Sequence, residues 1–223
     1  MKSLLRATRG PQRQLLCAAK SYHIAVVGSG PSALYALKYM LPTTKAPGLA
    51  TSVTVFEELP TPFGLVRSGV APDHEDVKNV QNDFTHTIET SPVPVTFRGS
   101  TKVGGAELSE LKAAYDAVIL AHGCGSGSKL DLPGSPAANV VSSIDVVRWY
   151  NGHPYASESS PLPVVEGRPL EVVIVGTGNV SIDIARVLLK GDLLTPSDVT
   201  SGALADLKAR TSAGVRVRIL NRR

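Results

Sequence analysis

The stretch His23–Ala33, HIAVVGSGPSA, decides the fold. Its first half, Ile-Ala-Val-Val up to Val27, reads as a strand of a parallel sheet, because no polar residue interrupts it. Its second half runs Gly28-Ser29-Gly30-Pro31-Ser32-Ala33 into the helical pattern Leu34–Met40. A strand, a glycine turn and a helix in that order make a cradle for phosphates. Gly28 permits the tight turn, Gly30 lets a pyrophosphate approach the backbone, and small Ala33 allows the helix to pack closely on the strand. An ordinary glycine turn would satisfy the same letters, so the surrounding sequence carries the weight.

Outward from this turn, Pro42 and the Pro47-Gly48 loop lead to a second strand, Ser52–Phe56, that ends on Glu57. A carboxylate at that place can accept hydrogen bonds from a ribose. The interval from Gly30 is longer than the usual spacing of about 20 residues, and the intervening loop accounts for it. A third strand, Tyr115–Gly123 (YDAVILAHG), reads as mostly buried and closes on a glycine near the same turn.

The pattern then recurs. Glu171–Val175 is an apolar strand entering Gly176-Thr177-Gly178-Asn179-Val180-Ser181, followed by the helical run Ile182–Lys190. Two dinucleotide turns imply two cofactors, the arrangement expected when one bound nucleotide reduces another. The partner strand of the second turn, Gly214–Leu220, alternates as V-R-V-R-I-L and stops at Asn221-Arg222-Arg223, with a further helix expected over Pro196–Arg210. Two guanidinium groups suit a 2′-phosphate, which favours NADP over NAD, and a solvated Arg-Arg end is the competing reading.

Composition bounds the remaining classes. The 223 residues are 43% hydrophobic and 19% charged, enough apolar matter for real cores. No apolar run reaches the roughly 18 residues of a membrane-spanning helix, so peripheral association is the most a membrane role could be. Cys17 and Cys124 make neither a disulfide framework nor a four-cysteine metal site, and no metal is expected. The net charge of +4 invites a nucleic-acid reading, but Lys2, Arg6, Arg9, Arg13 and Lys20 lie in the first 20 positions without an acid. Residues 21–223 carry 18 basic against 19 acidic groups, a body too nearly neutral to point to a nucleic-acid partner. The basic segment over 1–21 has the composition of a mitochondrial transit peptide, with a solvated basic tail as the plainer alternative.

Five stretches carry a family resemblance: G-S-G-P at Gly28, PFGLVRSGVAPDHEDVKNV over Pro62–Val80, Trp149-Tyr150-Asn151 with Gly152, G-x-G-N-V-x-x-D over Gly176–Asp183, and Arg222-Arg223. In this order they resemble the mitochondrial NADPH:adrenodoxin oxidoreductases, the adrenodoxin reductase type of ferredoxin–NADP reductase. The second stretch has no strand or helix period and suits a loop laid against a planar ligand. The resemblance implies an α/β fold of two Rossmann-like modules, FAD-binding over 22–123 and NADP-binding over 124–223. It implies FAD contacts at Ser32, Glu57, Leu65 and Val103, and NADP(H) contacts at Gly176, Thr177, Gly178, Asn179, Arg222 and Arg223. Electrons would pass from NADPH through FAD to a small adrenodoxin-like 2Fe–2S ferredoxin in the mitochondrial matrix. His74 and Asp183 match family positions that assist proton movement at the flavin. Alternatively, Asp73 caps the helix beginning near Glu75 with His74 exposed beside it, and Asp183 is a structural hydrogen-bond partner.

Family members continue well beyond Arg223, so the second module is expected to be incomplete and this chain alone to bind FAD weakly and catalyse little. The pyridine nucleotide–disulfide reductases also pair two dinucleotide turns, but they relay electrons through two nearby cysteines, and Cys17 and Cys124 are isolated. Assemblies such as the glutamate synthase small subunit carry cysteine clusters for iron–sulfur centres, which this sequence lacks. A nucleotide-binding module without turnover is the non-enzymatic alternative.

Overall fold

The computed structural model describes residues 22–41, 51–125, 127, 133, 137, 139–164 and 168–221; the expected targeting segment and Arg222-Arg223 lie outside the described residues. The first strand, β1 (Tyr22–Val27), is central in a four-stranded sheet, and Ala25 and Val26 are fully buried in it, as an uninterrupted apolar strand requires. The helix α1 (Pro31–Met40) follows directly. It starts at Pro31, three residues earlier than the apolar pattern suggests, because proline's fixed φ suits the first helical position. Ala33, Leu34 and Leu37 form its buried face.

The chain continues through β2 (Thr51–Phe56), two short helices α2 (Leu65–Ser68) and α3 (Glu75–Lys78), then α4 (Val80–Glu89), β3 (Val95–Arg98), α5 (Gly105–Ala114) and β4 (Ala117–Leu120). The sheet order is β3-β2-β1-β4, every pair parallel, with Val27 level with Phe56 on one side and Leu120 on the other. The strand expected over Tyr115–Gly123 is therefore shorter, and among the described residues it is an edge: only β1 flanks it, and Ala117 and Leu120 are exposed rather than buried.

The second module comprises α6 (Ser143–Tyr150), β5 (Leu170–Val175), α7 (Asn179–Lys190), a turn of 3₁₀ helix over Gly191–Leu194, α8 (Ser201–Ala213) and β6 (Val215–Leu220). β5 and β6 pair in parallel, Leu170 with Val215 through Val175 with Leu220. Ile184, Val187 and Leu188 of α7 pack with Trp149, Tyr150, Leu194 and Leu207 into the core below this sheet. Thr200 caps α8 by accepting from the Ala203 amide, and Gly214 ends it at φ 101°. On the other face of the two-strand sheet Val173, Val175 and Leu220 are exposed.

The segment Pro62–Val80 is not the bare loop that its lack of period suggests. It holds α2 and α3, and it joins the two cores: Phe63 and Val66 lie in the cluster of the first sheet, while Ala71 belongs to the cluster built on α6, α7 and α8. Short helices of one turn leave too few positions for a period to show in sequence.

Candidate functional site

The first turn is built around Gly28. Its φ is 96°, and a Cβ there would lie 2.7 Å from the carbonyl carbon of Ala121 and from His122 Cα, so only glycine fits between β1 and the end of β4. The Gly28 amide donates to the Phe56 carbonyl at 2.8 Å, which locks the turn to the end of β2. Leu34 is the first α1 amide to bond back, to Gly30 at 3.1 Å, so the amides before it carry the positive end of the helix. A Cβ placed on Gly30 meets nothing within 4 Å.

Glu57 stands one residue past Phe56, buried at this turn. Its Oε2 accepts from the Ser29 amide at 2.8 Å and from Ser29 Oγ at 2.6 Å, and its Oε1 accepts from the Leu59 amide at 2.9 Å. Three donors fix the carboxylate and satisfy its burial while leaving lone pairs for sugar hydroxyls. The sequence pointed to Glu57 through its place at the end of the second strand and through the family resemblance; its anchor on Ser29 is new.

Phe63 closes over the same turn. Its amide donates to the Ser29 carbonyl at 3.0 Å, and it sits at φ 87°, an unfavourable region for a bulky residue. Gly64 follows so closely that a Cβ on it would touch Gly30 Cα at 3.0 Å. Strained backbone of this kind is found at ligand clamps, and here the tertiary contacts to Ser29 and Gly30 hold it. Leu65 is exposed beside it and Val103 is half-buried in the cluster of Phe56 and Leu111. Ser32 is exposed on the first turn of α1 and Ala33 is fully buried beneath it.

The second turn repeats the first. Gly176 has φ 115°, its amide donates to the Leu220 carbonyl at 2.8 Å, and Ile182 donates back to Gly178 at 3.2 Å. Gly178 takes the same extended conformation as Gly30, φ −72° against −74°, and space above it is open. Thr177, Gly178 and Asn179 are exposed. Asn221 stands where Glu57 stands in the first turn, one residue past the bonded carbonyl, and its Oδ1 accepts from Thr177 Oγ1 at 3.3 Å. The sequence reading assigned this place to Arg222 and Arg223, which lie outside the described residues.

His74 and Asp183 are not brought into contact. His74 is exposed at the N-terminus of α3. Asp73 does not cap that helix: its Oδ2 accepts from Arg186 Nε at 2.7 Å and from Lys190 Nζ at 2.6 Å, and its Oδ1 from Arg186 Nη2 at 3.0 Å. Arg186 also pairs with Asp183 at 2.9 Å, so Asp183 has the structural partnership that stood as its alternative role. The Arg186 guanidinium, with Lys190, holds the Asp73 carboxyl well below the usual carboxylate range. Tyr150 lies in this neighbourhood with its hydroxyl buried and without a hydrogen-bond partner among the described residues, and burial, then the Asp183 charge, pushes the phenol up.

Further polar bridges join the modules, and sequence spacing gave no sign of them. Lys78, only 7% exposed, donates through Nζ to both Asp198 oxygens at 2.7 and 2.8 Å and to Asn151 Oδ1 at 3.2 Å. Asn151 Nδ2 donates to the Ser68 carbonyl at 3.3 Å, and the Tyr155 hydroxyl to the Glu58 carbonyl at 3.0 Å. Their partners are 73 to 120 residues away, beyond any local period.

With both cradles in view, comparison with known proteins places the fold. The family model described as Pyridine nucleotide-disulphide oxidoreductase matches residues 22–223. The chain belongs to this family. The match covers both cradles and not a cysteine relay: Cys124 is an exposed free thiol with no second cysteine among the described residues. Within the family, the chain is 40% identical over 194 residues to "NADPH-ferredoxin reductase FprA" of Mycobacterium tuberculosis, covering 86% of this chain and 41% of that protein. It is 41% identical over 207 residues to the mitochondrial "NADPH:adrenodoxin oxidoreductase" of Salvelinus fontinalis, covering 92% and 39%. The solved structure of M. tuberculosis FprA in complex with NADPH superposes with a TM-score of 0.81 at 39% identity, over 92% of this chain and 44% of that one. The chain thus spans about two fifths of the length of the curated relatives it matches.

Proposed function

We propose that the first cradle holds FAD, that the second holds NADP(H), and that the whole protein passes electrons from NADPH to a small adrenodoxin-like 2Fe–2S ferredoxin. The observation that carries this reading is the duplication itself: two strand–turn–helix cradles of matching geometry, one ending on the Glu57 carboxylate and the other on the neutral Asn221. Both fit a dinucleotide, since Gly30 and Gly178 leave open space where a side chain would block a pyrophosphate. The 40% identical relatives, by name NADPH-ferredoxin and NADPH:adrenodoxin reductases, support the same assignment.

FAD, when bound, supplies the chemistry of accepting a hydride and giving up electrons singly. The chain's own residues bind and orient. Glu57, fixed by Ser29 and Leu59, accepts ribose hydroxyls, and the amides around Ser32 and Ala33 favour the pyrophosphate. Phe63, Gly64, Leu65 and Val103 screen the site from water. Gly176, Thr177, Gly178 and Asn179 take the second pyrophosphate, and Arg222 and Arg223 attract the 2′-phosphate. His74, open to solvent, exchanges protons, and Asp183 acts through Arg186 to keep the start of α7 in place. Residues 22–123 and 124–223 are then the FAD and NADP portions. The acid-free segment 1–21 and the mitochondrial relatives support import into the mitochondrion.

The test is spectroscopic. The whole protein, reconstituted with FAD, is expected to show bound-flavin absorbance, to bleach on anaerobic addition of NADPH, and to reduce cytochrome c only when a ferredoxin is added. Bound flavin that NADPH does not bleach would refute the reductase reading and select a binding module without turnover.

A further inference from the structure

We infer that the residue closing each cradle sorts the two dinucleotides between them, and that Asn221 is a specificity-determining contact for 2′-phosphorylated adenosine. This rests on the second cradle being a dinucleotide site, as proposed above. The two turns share two corresponding bonds. The first glycine amide donates to the carbonyl ending the neighbouring strand at 2.8 Å in both, Gly28 to Phe56 and Gly176 to Leu220. The next residue in each turn is a hydroxyl residue, and its Oγ donates to the side chain one position beyond that carbonyl: Ser29 to Glu57, Thr177 to Asn221. Glu57 and Asn221 are therefore positional counterparts: Glu57 is buried and also accepts from the Ser29 and Leu59 amides, Asn221 is exposed, and only Glu57 carries a full negative charge.

That difference decides which sugar each cradle accepts. Glu57 is an acceptor only; it welcomes ribose hydroxyls as donors and repels a 2′-phosphate. Asn221 is neutral, its Oδ1 is occupied by Thr177, and its Nδ2 has no partner among the described residues, which leaves a donor for a phosphate oxygen. The first cradle thus rejects a 2′-phosphorylated dinucleotide and the second admits it, by a repulsive element in one site that is missing from the other. The discrimination lies one position before Arg222 and is separate from the attraction those arginines supply.

Calorimetric titration of FAD-saturated protein with adenosine 2′,5′-bisphosphate and with 5′-AMP tests it, in the parent chain and in Asn221→Asp and Asn221→Ala. Asn221 is exposed, and Asp can still accept from Thr177, so neither variant threatens the fold; melting temperatures check this. The parent is expected to favour the bisphosphate, Asn221→Asp to weaken it by about tenfold or more while holding 5′-AMP at least as tightly as the parent, and Asn221→Ala to lose only a few-fold. A parent preference that survives Asn221→Asp within about twofold overturns the inference and leaves the cofactor assignment standing. A parent that shows no preference for the bisphosphate overturns the assignment and the inference together.

Discussion

Replacing Asp73 by Asn should loosen the joint between the two modules, and the structure sets how much. The carboxylate is 9% exposed and accepts three charged hydrogen bonds, two from Arg186 as a bidentate pair and one from Lys190. Hydrogen bonds to charged groups contribute about 1.5–3 kcal/mol each when buried. Arg186 and Lys190 are 26% and 38% exposed, so water competes for both donors, and Arg186 keeps Asp183 after the substitution. The cost should therefore fall below the roughly 3–5 kcal/mol of a fully buried broken pair, at about 2–3 kcal/mol. For a chain of this size that is a fall in melting temperature of about 4–12 °C. The pH dependence follows from the lowered carboxyl. The unfolded chain titrates near 3.8 and the folded one well below it. The stabilisation is thus complete above the unfolded value and disappears as pH falls from there toward the folded one. Urea unfolding of the parent chain and Asp73→Asn at pH 7 and at steps below pH 4 measures both effects. A difference under about 0.5 kcal/mol at pH 7, or one that widens on acidification, would refute the argument.

Gly28→Ala should cost at least ~3 kcal/mol or abolish folding, because strain at φ 96° adds to a collision with the Ala121–His122 backbone that cannot yield; urea unfolding or soluble yield reads it. Glu57→Gln should lower stability by about 1–3 kcal/mol and weaken FAD binding in the same variant, since an amide cannot accept from Ser29 and Leu59 on both of its polar atoms; flavin fluorescence titration separates the two losses. Lys78→Met should cost only about 1 kcal/mol, because Asp198 is 52% exposed and rehydrates when its partner is lost while the apolar stem is retained; a loss above ~3 kcal/mol would mean the bridge is dry.

Both cradles were legible in the sequence because their requirements are local. A strand, a left-handed glycine, an open second glycine and a small helix residue fall within eleven positions, and backbone sterics dictate each one. Glu57 was legible for the same reason, as the first position past the end of the next strand. The segment Pro62–Val80 was visible as unusual, but its task was not. Phe63 on Ser29, Asp73 on Arg186 and Lys78 on Asp198 are pairings that no spacing rule encodes.

The sequence by itself determined the α/β class, the two turns and their order, since hydrophobic period and glycine chemistry act over a few residues. Only the tertiary structure decided that β4 is an edge strand, that Asp73 binds Arg186 and Lys190 instead of capping α3, and that Asn221 is the counterpart of Glu57. Those outcomes depend on which distant groups the packed modules bring within 3 Å or so of one another, and burial then makes the surviving charges pair.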